Sequence, residues 1–248
     1  YSEDLRVDVQ KLLKSNLKPN STDSGIFTSD TETMGFHFYV TGLDNAAEYD
    51  WPGLVDEVKQ LTQPWSERLV QAIYEKFDDV TAPSIEHKYR DAFPSRYREE
   101  TSVARAIQDI QLLESLSPEA PFTAELFRES DDKNLGLTRL RIFEERPTML
   151  SSTLPILDNL GFEVLNQYPT NVTMTDGQTR VISTFRLRPT RDLSVDLLTR
   201  KNRLSAAIRA TLSGVVDNDS FNRLLLKADI PWTYVDLIRA YFLYMRQL

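Results

Sequence analysis

The sequence contains no cysteine. Disulfides, thiolate catalysis and cysteine-ligated metals are therefore excluded, and a reducing compartment such as the cytoplasm suits the chain. Histidine is nearly absent: His37 and His87 are the two in 248 residues. Two histidines cannot build a multi-histidine zinc site, and a catalytic triad would have to use one of them. His37 falls in an expected strand and His87 on an expected helix, the ordinary setting of a surface or half-buried imidazole. The eight glycines stand far apart. No pair has the Gly-x-Gly spacing of a dinucleotide loop or the spacing of a phosphate loop, and no Gly-x-Ser-x-Gly elbow occurs. Positive charge is also short, with 29 Lys and Arg against 37 Asp and Glu, a formal charge of −8. That balance argues against nucleic acid or an anionic membrane as a partner, since both need a basic surface. No apolar run approaches the roughly 20 residues of a membrane helix.

What is present organises around residues 138–189. A strand from Thr138 to Phe143 alternates its side chains between two faces. Arg146-Pro147 breaks it. A helix over residues 152–160 follows, closed by Gly161. A strand begins at Phe162 and extends through Val172 and Met174. A turn at Thr175-Asp176-Gly177 leads to a last strand over residues 180–187. Residues 122–128 read as a further strand, and the polar turn 130–134 joins it to Thr138 as a hairpin. The fold class is α+β, an antiparallel ββαββ sheet domain with a helical insert before it and a helical tail after it. On its helix, Leu157 and Leu160 are expected to pack on Leu140, Ile142, Val164 or Phe185.

Before this domain, residues 4–17 have amphipathic helical spacing in Leu5, Val9, Leu12, Leu13 and Leu17. A strand around Ile26, a turn at residues 30–33 and a strand over residues 35–41 follow. The order α-β-β repeats part of the central unit, so residues 1–42 are expected to be a partial copy of such a module. Phe36, Phe38 and Tyr39 superficially suggest an RNA-stacking sheet, but Phe36 and Phe38 share a face with Val40, which favours a core. Residues 42–50 form an acidic linker, and residues 50–117 a helical domain. Pro64 and Pro83 open helices, Pro94 stops one, and Ser102 caps another. The central domain spans residues 118–190. The tail, residues 191–248, starts at Ser194. It carries Leu197, Leu204, Ile208 and Leu212, then Asp217-Asn218-Asp219 caps, then a helix from Trp232 to Met245 with a wide apolar face. The first residue is Tyr1 rather than Met, and Leu248 lies within a helical pattern, so both ends are expected to be internal to a longer chain.

No catalytic, cofactor-binding or metal-binding residue emerges. Arg139, Arg141, Arg180, Arg186 and Arg188 could form a basic sheet face for a carboxylate, because guanidinium forks match that group. Arg139, Arg141 and Arg146 are the candidate ligand-binding residues, and the plainer alternative pairs such arginines with local acids. Candidate interface residues are Asp91, Arg96, Tyr97, Arg98, Trp232, Arg239, Phe242 and Arg246, with Arg239 and Arg246 at the rim of a docking surface.

Three stretches together resemble the large NAD-specific glutamate dehydrogenases of bacteria. They are Tyr89-Arg90-Asp91-Ala92-Phe93-Pro94 with Tyr97-Arg98-Glu99, then Leu154-Pro155-Ile156-Leu157-Asp158-Asn159-Leu160-Gly161-Phe162, then Asn218-Asp219-Ser220-Phe221-Asn222-Arg223-Leu224. Ala228, Trp232, Leu237 to Tyr241 and Arg246-Gln247 extend the third. The resemblance runs from about Trp51 to the end, in the order of that family's region ahead of its catalytic domain. It implies a non-catalytic regulatory segment of an enzyme that oxidises L-glutamate with NAD to 2-oxoglutarate, ammonium and NADH. It also implies ACT-like, ferredoxin-like modules, a homo-oligomer in amino-acid catabolism, contacts to the enzyme's own catalytic domain and other subunits, and an amino-acid effector as a candidate partner. NAD belongs to the full-length enzyme, with no cofactor in this segment. The glycine usual in the first strand–helix connection of an ACT module is missing from Glu144-Glu145-Arg146-Pro147. The alternative is a self-sufficient ACT-like module that binds an amino acid.

Overall fold

Leu5, Val9, Leu13 and Leu17 return to one side of a helix every three or four residues. The structure, a computed structural model that describes residues 3–28, 34–43, 49–193 and 195–247, folds Glu3–Leu17 as α1. Strands β1 (Ser21–Thr28) and β2 (Met34–Thr41) pair antiparallel, with Gly25 opposite His37. A Cβ at position 25 would come within 2.4 Å of the His37 ring, so glycine lets the imidazole lie across the ribbon. Helix α2 (Trp51–Thr62) starts at Asp50, whose carboxylate accepts a 3.0 Å bond from the Gly53 N–H. Leu54, Val58 and Leu61 of α2 share one apolar cluster with Val9, Leu13, Leu17, Phe38 and Val40. His37 and Tyr39 take the opposite face of β2, as the alternation predicts, and Tyr39 is 64% exposed. These elements belong to the first of two compact units, which ends at Arg68. The expected turn at residues 30–33, most of the expected linker (residues 44–48) and Ser194 lie outside the described residues.

The second unit begins at Leu69, within α3 (Trp65–Lys76), where Leu69 and Ile73 are fully buried. Helices α4 (Ala82–Tyr89), α5 (Ser95–Glu100) and α6 (Val103–Glu114) follow. Pro83 opens α4, and the Ser102 hydroxyl caps α6. The sequence pattern extends the α4 helix up to Pro94. In the structure it stops at Tyr89, and Pro94 is the residue before α5. An amide without N–H interrupts a helix and equally suits the position ahead of a new one.

Strands β3 (Phe122–Phe127), β4 (Thr138–Glu144), β5 (Phe162–Thr173) and β6 (Thr179–Pro189) form one antiparallel sheet in the order β3-β4-β6-β5. The stretch 130–134, expected as a polar turn, is instead the short helix α7 (Ser130–Asn134). Glu129 and Asp132 exchange side-chain and backbone bonds across its first turn, the reciprocal capping that makes so short a helix viable. Helix α8 (Leu150–Asn159) joins β4 to β5. Gly161 closes it at φ +89°, where a Cβ would meet Leu193 at 2.6 Å. A register shift between Val164 and Asn166 marks a bulge in β5.

Beyond the sheet come a 3₁₀ turn (Leu197–Arg200), α9 (Lys201–Leu212), a second 3₁₀ turn (Ser220–Arg223), α10 (Leu224–Lys227) and α11 (Trp232–Met245). Leu157 of α8 and Leu160 at its C-terminal cap join Leu140, Ile142 and Phe185 in a single cluster, as the spacing predicts. Leu204 and Ile208 of α9, Leu225 and Leu226 of α10 and Val235 of α11 bury in that same cluster. The tail therefore completes the core on one sheet face. On the other face Phe143 and Ile182 are buried and α6 lies against β4. The Thr173 N–H bonds to the Ala92 carbonyl at 3.1 Å, tying the end of β5 to the turn after α4.

Candidate functional site

Alternation along β4 points Leu140 and Ile142 into the α8–α9 core and sends Arg139 and Arg141 to the opposite face. Arg186 on β6 stands opposite Arg139, and Thr184 opposite Arg141. One strand further, Tyr168 of β5 stands opposite Thr184. Above these residues lie Pro94 and α5. The result is a cleft of about 640 Å³ lined by Arg96, Tyr97, Glu100 and Thr101 on one side and Arg139, Arg141, Gln167, Tyr168, Thr184 and Arg186 on the other. The Arg96 guanidinium sits 5.1 Å from the Tyr168 ring centre at the mouth.

Two buried aspartates hold these arginines in place. Asp109 of α6 is fully buried. It accepts bonds from the Tyr97 hydroxyl and from Arg141, and pairs with Arg105 at 3.1 Å. Arg105 also reaches Glu125 on β3 and lies 3.8 Å from the Phe127 ring centre. Burial pushes the Asp109 carboxyl up, and Arg141 and Arg105 pull it back down. Burial likewise raises the Tyr97 hydroxyl, reinforced by the Asp109 charge. Asp132 of α7, also fully buried, accepts from Arg139 at 2.6 Å and from Arg186 at 2.9 Å. Glu129 takes a further Arg139 nitrogen at 3.1 Å. The polar sequence around Asp132 reads as a loop, and nothing local signals that two strand arginines converge on it.

A third knot fastens the helices to the far end of β6. Glu114 pairs with Lys88 at 2.9 Å and Arg180 at 3.1 Å and accepts from the Tyr89 hydroxyl at 2.7 Å. Burial works upward on its carboxyl, but Lys88, Tyr89 and Arg180 together hold it below the usual value.

The sequence-derived candidates scatter. Arg139 and Arg141 share the cleft, whereas Arg146 is exposed in the β4–α8 connection and is not part of the lining. Arg96 and Tyr97 also line the cleft; Asp91 is exposed, and the Arg98 side chain caps the Phe93 carbonyl at 2.8 Å. Arg239, expected at an interface rim, is 4% exposed. Its guanidinium grips Asp219 through two nitrogens and also bonds Asp236, Asn222 and the Asp217 carbonyl. Three neighbouring acceptors on the capping loop outcompete solvent for it. Trp232 packs on the main cluster. Phe242 is 42% exposed, tilted against Phe221, with exposed Arg246 over its ring. His37 and His87 are both exposed. Among the described residues no cluster of acids and histidines could hold a metal, and no helix is long and apolar enough to cross a membrane.

Three family descriptions match the chain in series: glutamate dehydrogenase helical motif 2 over residues 72–116, its ACT3 domain over residues 121–200, and its helical motif 3 over residues 216–248. The cleft lies at the seam between the first two. The NAD-specific glutamate dehydrogenase of Halomonas elongata is 29% identical over 249 residues, and that of Pseudomonas aeruginosa 28% over the same length. Both alignments cover the whole of this chain. The NAD-specific glutamate dehydrogenase of Mycobacterium tuberculosis is 31% identical over 201 residues, 79% of this chain. The chain spans 15%, 15% and 12% of the length of these relatives.

Proposed function

Because this chain belongs with the NAD-specific glutamate dehydrogenases, as a segment carrying their ACT3 domain and helical motifs, we propose that it serves such an enzyme as a non-catalytic regulatory and structural part. The observation that carries this reading is the match of the whole chain to a small fraction of each relative. The full-length protein would oxidise L-glutamate with NAD to 2-oxoglutarate, ammonium and NADH in the cytoplasm, with NAD bound outside this segment. Residues 118–190 act as an ACT-like ββαββ module, preceded by a partial module in residues 1–42 and a helical domain in residues 50–117. Residues 191–248 lead toward the remainder of the enzyme, including its catalytic domain and other subunits of a homo-oligomer.

The face of α11 supports such a contact. Leu237, Ile238, Tyr241, Phe242, Leu243 and Met245 are between 40% and 66% exposed on one short helix. An apolar surface of that density marks an interface more often than a solvated face. The test is kinetic. The isolated chain should not form NADH from glutamate and NAD, while the full-length protein should. A full-length form lacking these residues should lose assembly or effector response. Turnover by the isolated chain, with contaminating enzyme excluded, would overturn the proposal.

A further inference from the structure

The cleft has more donors than its own acceptors use. Glu100 is the one acid in the lining, against Arg96, Arg139, Arg141 and Arg186. The acids behind the lining are shared. Asp132 serves both Arg139 and Arg186, and Asp109 serves both Arg141 and Arg105. The Nε atoms of Arg141 and Arg186 are buried and find no hydrogen-bond acceptor among the described residues, as is also true of Arg105 and Arg180 outside the lining. A buried donor without an acceptor is costly, and Arg141 and Arg186 are the two of these four that border an opening.

We propose that this cleft binds a small organic carboxylate through Arg186 and Arg141, and that α5 and α6 sense its presence through Arg141 and Asp109. The inference goes beyond the proposed regulatory role, because it stands on the cleft and not on the enzyme to which the chain belongs. Guanidinium groups bind carboxylates through paired parallel bonds. The volume falls within the range of small-molecule sites. Pro94, Tyr97, Tyr168 and Pro169 give the cleft a partly apolar wall, which suits a hydrocarbon chain better than a bare inorganic anion. Most of the arginine charge is already met by Asp109 and Asp132, which favours carboxylates, whose charge sits on separate planar groups, over a compact phosphate dianion. Arg141 is the link to the helices. Its guanidinium contacts Asp109 of α6, and Asp109 in turn holds the Tyr97 hydroxyl of α5. A ligand drawing on Arg141 must alter that arrangement.

The probe is glutarate, titrated calorimetrically into the 248-residue chain at constant ionic strength, with inorganic phosphate and sodium chloride in parallel. One saturable glutarate site is expected. Arg186→Gln should weaken it at least about tenfold, the effect of losing a charged hydrogen bond. Thr184→Glu places a carboxylate inside the cleft and should abolish glutarate binding while raising the melting temperature. It decides the matter even where Arg186→Gln fails to fold. Amide exchange in α5 and α6 should slow on adding glutarate. No saturable heat from wild type, equal binding by Thr184→Glu, or phosphate binding as tightly as glutarate would each overturn the carboxylate site. Exchange changes confined to the sheet would overturn the sensing role.

Discussion

Asp132 and Arg186 are separated by 54 residues in sequence and joined by a 2.9 Å hydrogen bond. The carboxylate is fully buried, and Arg139 completes its shell at 2.6 Å. A helix of five residues is thereby clamped to two neighbouring strands. Removing one member of a buried ionic group leaves the others desolvated and uncompensated, at a cost of about 3–5 kcal/mol. Asp132→Ala should lower unfolding stability on that scale in denaturant titrations. The pair Arg188–Glu163 is the internal control, since its side chains are 41% and 46% exposed. Glu163→Gln should change stability by less than about 1 kcal/mol. Equal effects would show that the Asp132 cluster is no more than a surface contact.

The helix–sheet core gives a second expectation. Leu157 is fully buried between α8 and the sheet, while Asp158 beside it is exposed. Leu157→Ala removes packing that the neighbours cannot wholly refill and should cost about 2–5 kcal/mol. Asp158→Ala should leave the melting temperature nearly unchanged. A comparable drop for both would mean that the burial of this helix is wrongly assigned.

The two cases also mark what the sequence could and could not reveal. Leu157, Leu160, Leu204 and Ile208 announce themselves by helical spacing, so the core and the antiparallel sheet were legible. Ser102 and Asp219 were legible as caps, and both cap as read. The charged interior was not. Asp109 sits in a helix between Gln108 and Ile110, and Asp132 in a run that reads as a turn. Their burial depends on arginines of distant strands, which no local period encodes. The same blindness placed Arg239 on a surface, although the capping loop encloses it. Of the cleft arginines, Arg139, Arg141 and Arg186 read as a basic face from strand alternation, whereas Arg96 reads as an interface residue. What the sequence could not supply was α5 folding over them, because Pro94 reads equally well as a stop and as a start.

A pH dependence follows from Glu144 at the end of β4. It is 2% exposed, and its neighbours are the Thr148 N–H at 3.4 Å and the Ser183 hydroxyl at 3.5 Å. Burial raises its carboxyl above the ordinary 4.5, and the bonds from Thr148 and Ser183 offset only part of that. The folded chain therefore keeps a proton that the unfolded chain has released. This contribution to stability is fully present below pH 4.5 and is lost as pH rises through the raised value. Glu144→Gln keeps the shape without the ionisation. It should raise the melting temperature at neutral pH, have little effect below pH 4.5, and flatten the profile between. A Glu144→Gln variant less stable than wild type at neutral pH would mean that the charged form is the one the fold needs.

The last expectation concerns α11. Val235 and Arg239 face inward, and the exposed apolar residues occupy the remaining surface. Phe242 is a compromised probe, because its ring lies 5.2 Å from that of Phe221 and contributes to the packing of this unit. Tyr241 is 63% exposed, which makes it the cleaner one. In the isolated chain Tyr241→Asp should shift stability by no more than about 0.5 kcal/mol, as surface changes do. In the full-length protein the same carboxylate would be buried without a partner at the proposed contact, and removing such a charge from water is expensive. Subunit assembly or specific activity should then fall severalfold, read by light scattering and by NADH formation on one preparation. Normal assembly and activity in the full-length Tyr241→Asp protein would show that this face stays in water, and α11 would then serve only to cover the core through Val235 and Trp232.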